Sequence, residues 1–137
     1  MDEIVRRLEL VRERVEEAAR RAGRRAEDIK LIAVTKTVEP ERIMTAIRAG
    51  ITDFGENRVQ EAEAKIPALP AGVRWHFVGH LQSNKARRAV QLFDSIHSVD
   101  SARLAERLDR ISCELGKPIP VFLQVDLGGE PTKYGVN

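Results

Sequence analysis

Hydrophobic positions follow two alternating spacings along the chain. Between residues 4 and 22 they recur every three or four positions, which is typical of an apolar stripe on a helix. Between residues 29 and 34 they form a short, nearly continuous run, which predicts a strand buried on both faces. This change of spacing repeats along the sequence. Helices are predicted over 40–49, 59–66, 84–92 and 102–115, and strands over 51–54, 73–78, 93–97 and 119–125.

Turn and cap residues separate these elements. Gly23 and Gly50 are placed to end the first two helices, and Ser101 is placed to cap the last one. The stretch 55–57, Gly-Glu-Asn, is expected to close the second strand as a turn. Residues 98–100 are expected to turn the chain after the fourth strand.

The alternation of strands and helices predicts an α/β fold with parallel strands. Two architectures are compatible with it, an open doubly wound sheet and the first part of a (β/α)₈ (TIM) barrel, which needs about 250 residues. The chain stops directly after its fifth strand and loop. We therefore expect residues 1–137 to form a single domain, the N-terminal part of a barrel without its C-terminal strands. Its first and fifth strands would be free edges that invite pairing with another chain.

Composition and charge exclude several classes of protein. Hydrophobic residues make up 42% and charged residues 32% of the chain, as in soluble globular proteins. No apolar run approaches the roughly 18–20 residues that span a bilayer, and the N-terminus does not resemble a secretory signal. A net charge of +2 and 4% aromatic residues argue against nucleic-acid or membrane partners. The single cysteine, Cys113, is compatible with a reducing cytoplasm and is interpreted as an ordinary thiol.

Lys36 is the residue with the clearest chemical potential. It follows the first predicted strand, and ligands bind at the carboxyl ends of strands in barrels and open parallel sheets alike. An amine partly desolvated by Val34 and its neighbours has a lowered pKa and can form a Schiff base with an aldehyde. The competing interpretation is a solvated lysine that leads into the next helix.

Polar side chains also follow the next two predicted strands. Asn57 offers a donor and acceptors toward the same rim, although it could equally be a helix cap. His76 is expected on one face of its strand, with Trp75 and Phe77 on the other. It is either a ligand contact or a hydrogen-bonded core histidine. His76 and His80 would lie about 13 Å apart on an extended strand, so a shared metal is not expected.

Two further segments carry charge near the expected rim. The basic helix over residues 85–88 is interpreted as a solvated face. The Gly-rich stretch that contains Glu130 and Lys133 lacks the spacing of a phosphate loop and is expected to be part of the rim.

Four motifs occur in order, and together they resemble one family. The chain is similar to the pyridoxal phosphate homeostasis proteins, also called proline synthetase co-transcribed proteins, over essentially all 137 residues. The motifs are Leu-Ile-Ala-Val-Thr-Lys-Thr at 31–37, Phe-Gly-Glu-Asn at 54–57, Trp-His-Phe-Val-Gly-His-Leu-Gln-Ser-Asn-Lys at 75–85 and His-Ser-Val-Asp-Ser at 97–101.

The resemblance implies a barrel like the N-terminal domain of alanine racemase. It implies that Lys36 holds pyridoxal 5′-phosphate (PLP), the cofactor form of vitamin B6, as a Schiff base, and that Asn57 and His76 line the pocket. Glu130 and Lys133 match rim positions, where a lysine would assist PLP transfer. Members of this family act without catalysis in PLP supply, which makes PLP-requiring apoenzymes the expected partners. In this family, the loops that bind the PLP phosphate belong to a later part of the barrel, which these 137 residues do not contain.

Three other functions are compatible with parts of the sequence. A PLP-dependent racemase would need a second acid/base group, typically supplied by a separate C-terminal domain. An aldolase-type barrel would use Lys36 for a Schiff base with a carbonyl substrate, and Asp53 or Glu56 as the acid/base group. An interaction module would use the basic helix over 85–88 and would bind nucleic acid with a strong salt dependence.

Overall fold

Helices and strands alternate through the computed structural model, which describes residues 2–130 and 134–136. The helices of this described part are α1 (Glu3–Arg21), α2 (Pro40–Arg48), α3 (Val59–Lys65), α4 (Ala86–Leu92) and α5 (Ala102–Leu115). The strands are β1 (Ala33–Val34), β2 (Asp53–Glu56), β3 (Arg74–Phe77), β4 (Ser95–Val99) and β5 (Val121–Leu123). Short 3₁₀ turns cover Ala26–Asp28, Ile66–Ala68 and Ser83–Lys85.

The ends of the helices follow from local side-chain chemistry. The Asp2 carboxylate accepts a hydrogen bond from the Ile4 amide at the start of α1, and the Ser101 hydroxyl accepts one from the Leu104 amide at the start of α5. After α5, Gly116 adopts a left-handed conformation with φ of 61°. Glycine tolerates this conformation without a steric penalty, so the helix ends there. At the opposite end of α5, the hydrogen bond from the Leu104 amide to the Ser101 hydroxyl confirms the predicted cap.

The five strands form one parallel sheet in the order β1-β2-β3-β4-β5. A doubly wound sheet changes direction at a switch point in its strand order, whereas a barrel adds each new strand to the same edge. The uninterrupted order therefore favours the barrel over the doubly wound alternative. It also brings the carboxyl ends of all five strands to one rim.

The hydrophobic core lies between the sheet and the helices. Phe54 and Trp75 contribute one tilted aromatic pair, with ring centroids 5.4 Å apart, and Phe77 and Phe93 contribute a second at 5.1 Å. Three of the apolar residues predicted for the last helix, Leu104, Leu108 and Ile111, are buried in the same core. The placement of Trp75 and Phe77 on the helix-facing side of β3 agrees with the sequence prediction.

Several sequence predictions are corrected by the structure. Strands β2 and β4 begin two residues later than predicted, so Glu56 is a fully buried strand residue and not part of a turn. The prediction that the first strand is buried on both faces is wrong, because Val34 is 53% exposed. All three residues of β5 are also exposed. Both are edge strands of the sheet that the described residues form, and each has a neighbouring strand on one side only.

No helix among the described residues combines the length and apolar character that crossing a bilayer requires.

Candidate functional site

The side of the sheet that faces away from the helices, here called the inner face, carries a line of polar side chains. Successive residues of a strand point to opposite sides. Because Trp75 and Phe77 pack in the core, His76 lies on the inner face. It meets Asp53 from β2 and Ser95 from β4 there, and His97 extends the line.

Hydrogen bonds connect this inner-face line from strand to strand. The Nε2 atom of His76 lies 2.7 Å from an Asp53 carboxylate oxygen, and its Nδ1 atom contacts the Ser95 hydroxyl. The Ser95 hydroxyl in turn lies 3.0 Å from Nε2 of His97. Because the Asp53 carboxylate accepts a hydrogen bond from Nε2–H, a neutral His76 has Nδ1 free to accept one from the Ser95 hydroxyl. Both ring nitrogens of His76 are therefore engaged within the protein.

Asp53 is the charged end of the inner-face line. Burial would raise the pKa of its carboxyl group, but hydrogen bonds from Arg74, His76 and Thr52 outweigh this effect and hold that pKa well below its usual range. The Arg74 guanidinium binds both carboxylate oxygens, at 2.8 and 3.0 Å. At the other end, burial and the proximity of His76 and Lys30 lower the pKa of His97.

Lys36 lies directly beyond β1, at the carboxyl rim of the sheet. Its side chain is exposed, and its amine has no hydrogen bond or ion pair within the described part of the chain. The expected desolvation by Val34 is not observed, because Val34 itself is exposed. The structure thus presents an accessible amine at the end of the sheet where parallel folds bind ligands.

A partly buried polar cluster lies behind Lys36, on the opposite side of the sheet from the inner face. We call it the Lys65 cluster. It consists of Thr35, Thr37, Glu56, Glu61 and Lys65. The Lys65 amine lies 2.9 Å from carboxylate oxygens of both Glu56 and Glu61. Hydrogen bonding to Lys65 lowers the pKa of Glu61.

Asn57 lies at the same rim, one residue beyond β2. It is exposed, and its side chain has no hydrogen-bond partner among the described residues. Gly79, from the loop after β3, packs directly against it. A methyl group on Gly79 would lie 2.6 Å from the side-chain oxygen of Asn57 and 2.9 Å from its carbonyl carbon. Only glycine therefore lets these two loops approach so closely.

A cleft of about 470 Å³ opens beside Asn57, between the loops that follow β2 and β3. Its lining includes the basic residues Arg58 and Lys85 and no carboxylate. The rings of His80 and Tyr134, stacked with centroids 3.6 Å apart, also line it. The cleft is thus suited in charge to an anionic ligand.

The predicted site residues divide into two levels of the sheet. Lys36 and Asn57 both lie at the rim. In the strand register His76 is opposite Gly55, which is opposite Val34, so His76 lies below the rim by about two residues of β1. The structure therefore places His76 under the Lys36 and Asn57 pair, 4% exposed.

The remaining charged residues considered in the sequence analysis form surface ion pairs, are exposed, or lie outside the described residues. Arg87 pairs with Glu114, and Arg88 pairs with Glu63 on the surface, which agrees with a solvated basic face. Glu130 is exposed, and Lys133 lies outside the described residues. Within the described ranges, no group of three or more His, Cys, Asp or Glu side chains is arranged to hold a metal ion.

Comparison with known proteins assigns this chain to a family. The model of the alanine racemase N-terminal domain matches residues 7–137. The chain belongs to this family of barrel domains. Its fold is also similar to that of an alanine racemase from Clostridium difficile, with a TM-score of 0.68 at 18% identity, over 81% of this chain and 29% of that one.

Within that class, the chain is similar to pyridoxal phosphate homeostasis proteins. The protein of this name from Escherichia coli K12 is 42% identical, and the alignment covers 99% of this chain and 60% of that protein. A solved structure of PipY from Synechococcus elongatus PCC7942 with PLP bound is 48% identical, with a TM-score of 0.73. It covers 88% of this chain and 57% of PipY. The chain therefore spans about 60% of the length of the curated relatives it matches.

Sequence reasoning missed the Lys65 cluster. The sequence predicts Glu56 as a turn residue or a possible acid/base group, and it places Lys65 in the helix predicted over 59–66 without a further role. Their nine-residue separation spans a strand end and a helix, so no simple periodicity connects them. The available signal was Glu61, four residues before Lys65 on α3, where oppositely charged side chains meet.

Proposed function

We propose that this chain is a PLP-binding protein of PLP homeostasis, which holds the cofactor as a Schiff base on Lys36. The observation that carries the proposal is the accessible Lys36 amine at the carboxyl rim, which has no partner among the described residues, in a fold for which the similar PipY has PLP bound. A lysine amine joins an aldehyde with loss of water, so the aldehyde must be able to reach the lysine nitrogen. Lys36 meets that requirement.

Asn57 and His76 are proposed as the other cofactor-binding residues. Asn57 shares the rim with Lys36 and has free donors and acceptors for a polar ring substituent. His76 is engaged through both ring nitrogens, so its proposed role is to form the floor below the rim. PLP supplies an aldehyde and a conjugated ring that serves as an electron sink. The residues named here bind and orient it.

The 137 residues are proposed to form one unit, corresponding to the first five β/α units of a barrel. The uninterrupted strand order and the 57% coverage of PipY support this interpretation. In barrels, phosphate sites usually form from the loops after strands seven and eight. The five strands of the described residues do not include these two positions.

A role without catalysis is supported by how the nearby acids are engaged. Asp53 is bound by Arg74 and His76, and Glu56 lies behind the sheet in contact with Lys65. Neither carboxylate is free to move a proton at the Lys36 amine. This weakens the aldolase alternative, which would use Asp53 or Glu56 as its acid/base group.

PLP-requiring apoenzymes in the cytoplasm are the proposed recipients, with neither nucleic acid nor membrane as a partner. A near-balanced charge and the paired arginines of α4 support the exclusion of nucleic acid. The exposed edges β1 and β5 further support self-association of the 137-residue chain. Sedimentation at increasing protein concentration tests this, and a constant monomer mass would contradict it.

Chemical trapping tests the main proposal. The purified chain is incubated with PLP, reduced with borohydride and digested, and the modified peptides are mapped by mass spectrometry. One adduct on Lys36 is expected. Lys36→Ala should abolish the yellow absorbance while leaving far-UV helix content unchanged, because the Lys36 side chain has no partner within the described chain. Adducts scattered over the six lysines would refute a selective site.

A further inference from the structure

Lys36 occupies the second position of a tight turn whose backbone is held from behind. The Val38 amide donates to the Thr35 carbonyl at 3.0 Å, which closes the turn over Lys36 and Thr37. The groups that hold this turn belong to the Lys65 cluster, and none of them lies on the inner face.

The residue before Lys36 is fixed through three of its groups, the amide, the hydroxyl and the carbonyl. The Thr35 amide continues the sheet by donating to the Gly55 carbonyl at 2.9 Å. Its hydroxyl donates to a Glu56 carboxylate oxygen at 2.8 Å, and its carbonyl accepts from the Lys65 amine at 2.6 Å. Glu56 is completely buried and Lys65 is 7% exposed. These contacts therefore work in a dry environment, where hydrogen bonds to charged groups are strong.

The residue after Lys36 is held in an unfavourable conformation. Thr37 has φ of 62°, a left-handed conformation that β-branched residues rarely adopt. Its amide donates to a Glu61 carboxylate oxygen at 2.5 Å, and its hydroxyl donates to the Lys36 carbonyl at 2.6 Å. Strained backbone persists only where surrounding contacts hold it, and such strain is concentrated at ligand sites.

One ammonium group joins the two sides of the turn. The Lys65 amine contacts Glu56, which holds Thr35, and Glu61, which holds Thr37. A buried lysine and a buried glutamate are costly to desolvate, and a similarly shaped apolar pair would often be as stable. Stability alone is therefore a weak reason for burying these charges directly behind Lys36.

We propose that Glu56, Glu61 and Lys65 are positioning residues for Lys36, a role that rests on the proposed function of Lys36 itself. They fix the backbone on both sides of it, so that its amine is presented at the rim in one orientation. None of the three contacts the Lys36 side chain, and each acts through the turn. The consequence is selectivity, because PLP reacts with Lys36 in preference to the five other lysines.

The decisive variant is Glu61→Ala. Glu61 is partly exposed, with 24% of its side chain accessible, so its removal spares the buried core. The Thr37 amide then loses its acceptor. Glu61→Gln is the matched rescue variant, because its amide oxygen can still accept from Thr37. Arg88→Met is the control, since it breaks a surface ion pair of the same 2.9 Å length.

The double variant Glu56→Gln/Lys65→Met tests the other side of the turn. It removes both buried charges together and so avoids leaving one of them unpaired. Folding of every variant is checked by the fluorescence of Trp75, the only tryptophan. If the double variant does not fold, Glu61→Ala alone decides the outcome.

The readouts are the rate of Schiff-base formation with PLP and the share of borohydride-trapped label on Lys36. We expect Glu61→Ala and the double variant to slow the rate by about ten-fold or more, since small misplacements of a reacting group have effects of this size. The label should spread to other lysines. Glu61→Gln and Arg88→Met should behave like the unmodified chain.

The outcomes separate this inference from the proposed function. Scattered label in the unmodified chain refutes the Lys36 site itself, and the positioning role with it. Selective label in the unmodified chain, with an unchanged rate and share in folded Glu61→Ala, refutes the positioning role alone. A loss of stability without a change in selectivity would likewise show that the cluster is only structural.

Discussion

The contact between Gly79 and Asn57 leads to a quantitative prediction for Gly79→Ala. Gly79 is buried, and its φ lies outside the left-handed region, so alanine is acceptable to its own backbone. The obstacle is the neighbouring loop. The new methyl group would lie 2.6 Å from the Asn57 side-chain oxygen, 2.9 Å from its carbonyl carbon and closer still to its carbonyl oxygen.

The size of the effect depends on which atoms must move. A side-chain amide can rotate away at little cost, but the carbonyl group belongs to the backbone that leads from β2 into α3. Forcing one extra methyl group into a packed region costs about 1–3 kcal/mol. Because the obstructing atoms are backbone atoms, we expect a loss of about 2 kcal/mol. With a urea dependence of about 2 kcal/mol per molar, the unfolding midpoint should fall by about 1 M.

Urea unfolding followed by Trp75 fluorescence measures this loss. Trp75 is the only tryptophan and is 4% exposed, so its signal reports the folded state. Gly128→Ala is the matched control. Its new methyl group would find no atom nearer than 3.8 Å, and its φ is not in the left-handed region. Its midpoint should remain within about 0.3 M of the unmodified chain.

The reasoning fails if Gly79→Ala and Gly128→Ala unfold at the same urea concentration. The same displacement should also weaken PLP binding, because Asn57 shares the rim with Lys36. A Gly79→Ala chain that is less stable but traps PLP normally would separate the packing argument from the proposed role of Asn57.

Three further outcomes are expected. Because the pKa of Asp53 is held low in the folded chain, its stabilising effect is complete above about pH 4 and is lost as the pH falls. In Asp53→Asn, the thermal unfolding midpoint should therefore depend less on pH between pH 4 and pH 2 than it does in the unmodified chain. Because burial lowers the pKa of His97, its imidazole should titrate below 6.5 by NMR, and it should contribute a loss of stability as the pH falls through 6.5. Phe93→Ala should cost about 3–5 kcal/mol in urea unfolding, whereas Leu10→Ala, at a 52% exposed site, should cost less than about 0.5 kcal/mol.

The order of the elements could be predicted because burial leaves a periodic pattern. Trp75 and Phe77 alternate with His76, and this alternation assigned the faces of β3 correctly. The Ser101 cap could be predicted because a serine hydroxyl is a suitable acceptor for free helix amides. These signals are local, so one sequence is enough to detect them.

The bounds of β2 could not be predicted in the same way. Gly55 and Glu56 are typical turn residues, yet Gly55 pairs with Val34 of β1 and His76 of β3, and Glu56 pairs with Phe77 of β3. Backbone hydrogen bonds form regardless of side-chain type, and the buried charge of Glu56 is compensated by Lys65 from the following helix. The contact with Lys65 allows this turn-like stretch to form part of a strand. A single sequence does not reveal which residue will make such a contact.

The exposure of β1 and β5 has a related cause. An apolar run predicts burial, but burial also requires a neighbouring element to cover it. In the parallel sheet described here, Val34 and Phe122 lie on edge strands and are 53% and 59% exposed. The apolar pattern shows that a strand favours burial, but only the structure shows whether a neighbouring element covers it.

The two polar clusters explain why the rim is suited to binding. On the inner face, Asp53 and Ser95 hold His76 in one orientation, and behind the sheet the Lys65 cluster holds the turn around Lys36. Most of their polar atoms are hydrogen-bonded within the protein, although one carboxylate oxygen of Glu56 is buried without a partner among the described residues. Lys36 and Asn57 are different, because they are exposed and have no partner among the described residues.

A binding site works best when free groups are mounted on a rigid support. This predicts opposite effects of substitutions at the two levels of the sheet. Changes at Lys36 or Asn57 should reduce PLP binding and leave stability nearly unchanged. Changes at Asp53 should reduce stability first, because Asp53 neutralises Arg74 and holds His76. Parallel measurements of urea midpoints and PLP trapping would test this division, and a stability loss in Lys36→Ala as large as that in Asp53→Asn would contradict it.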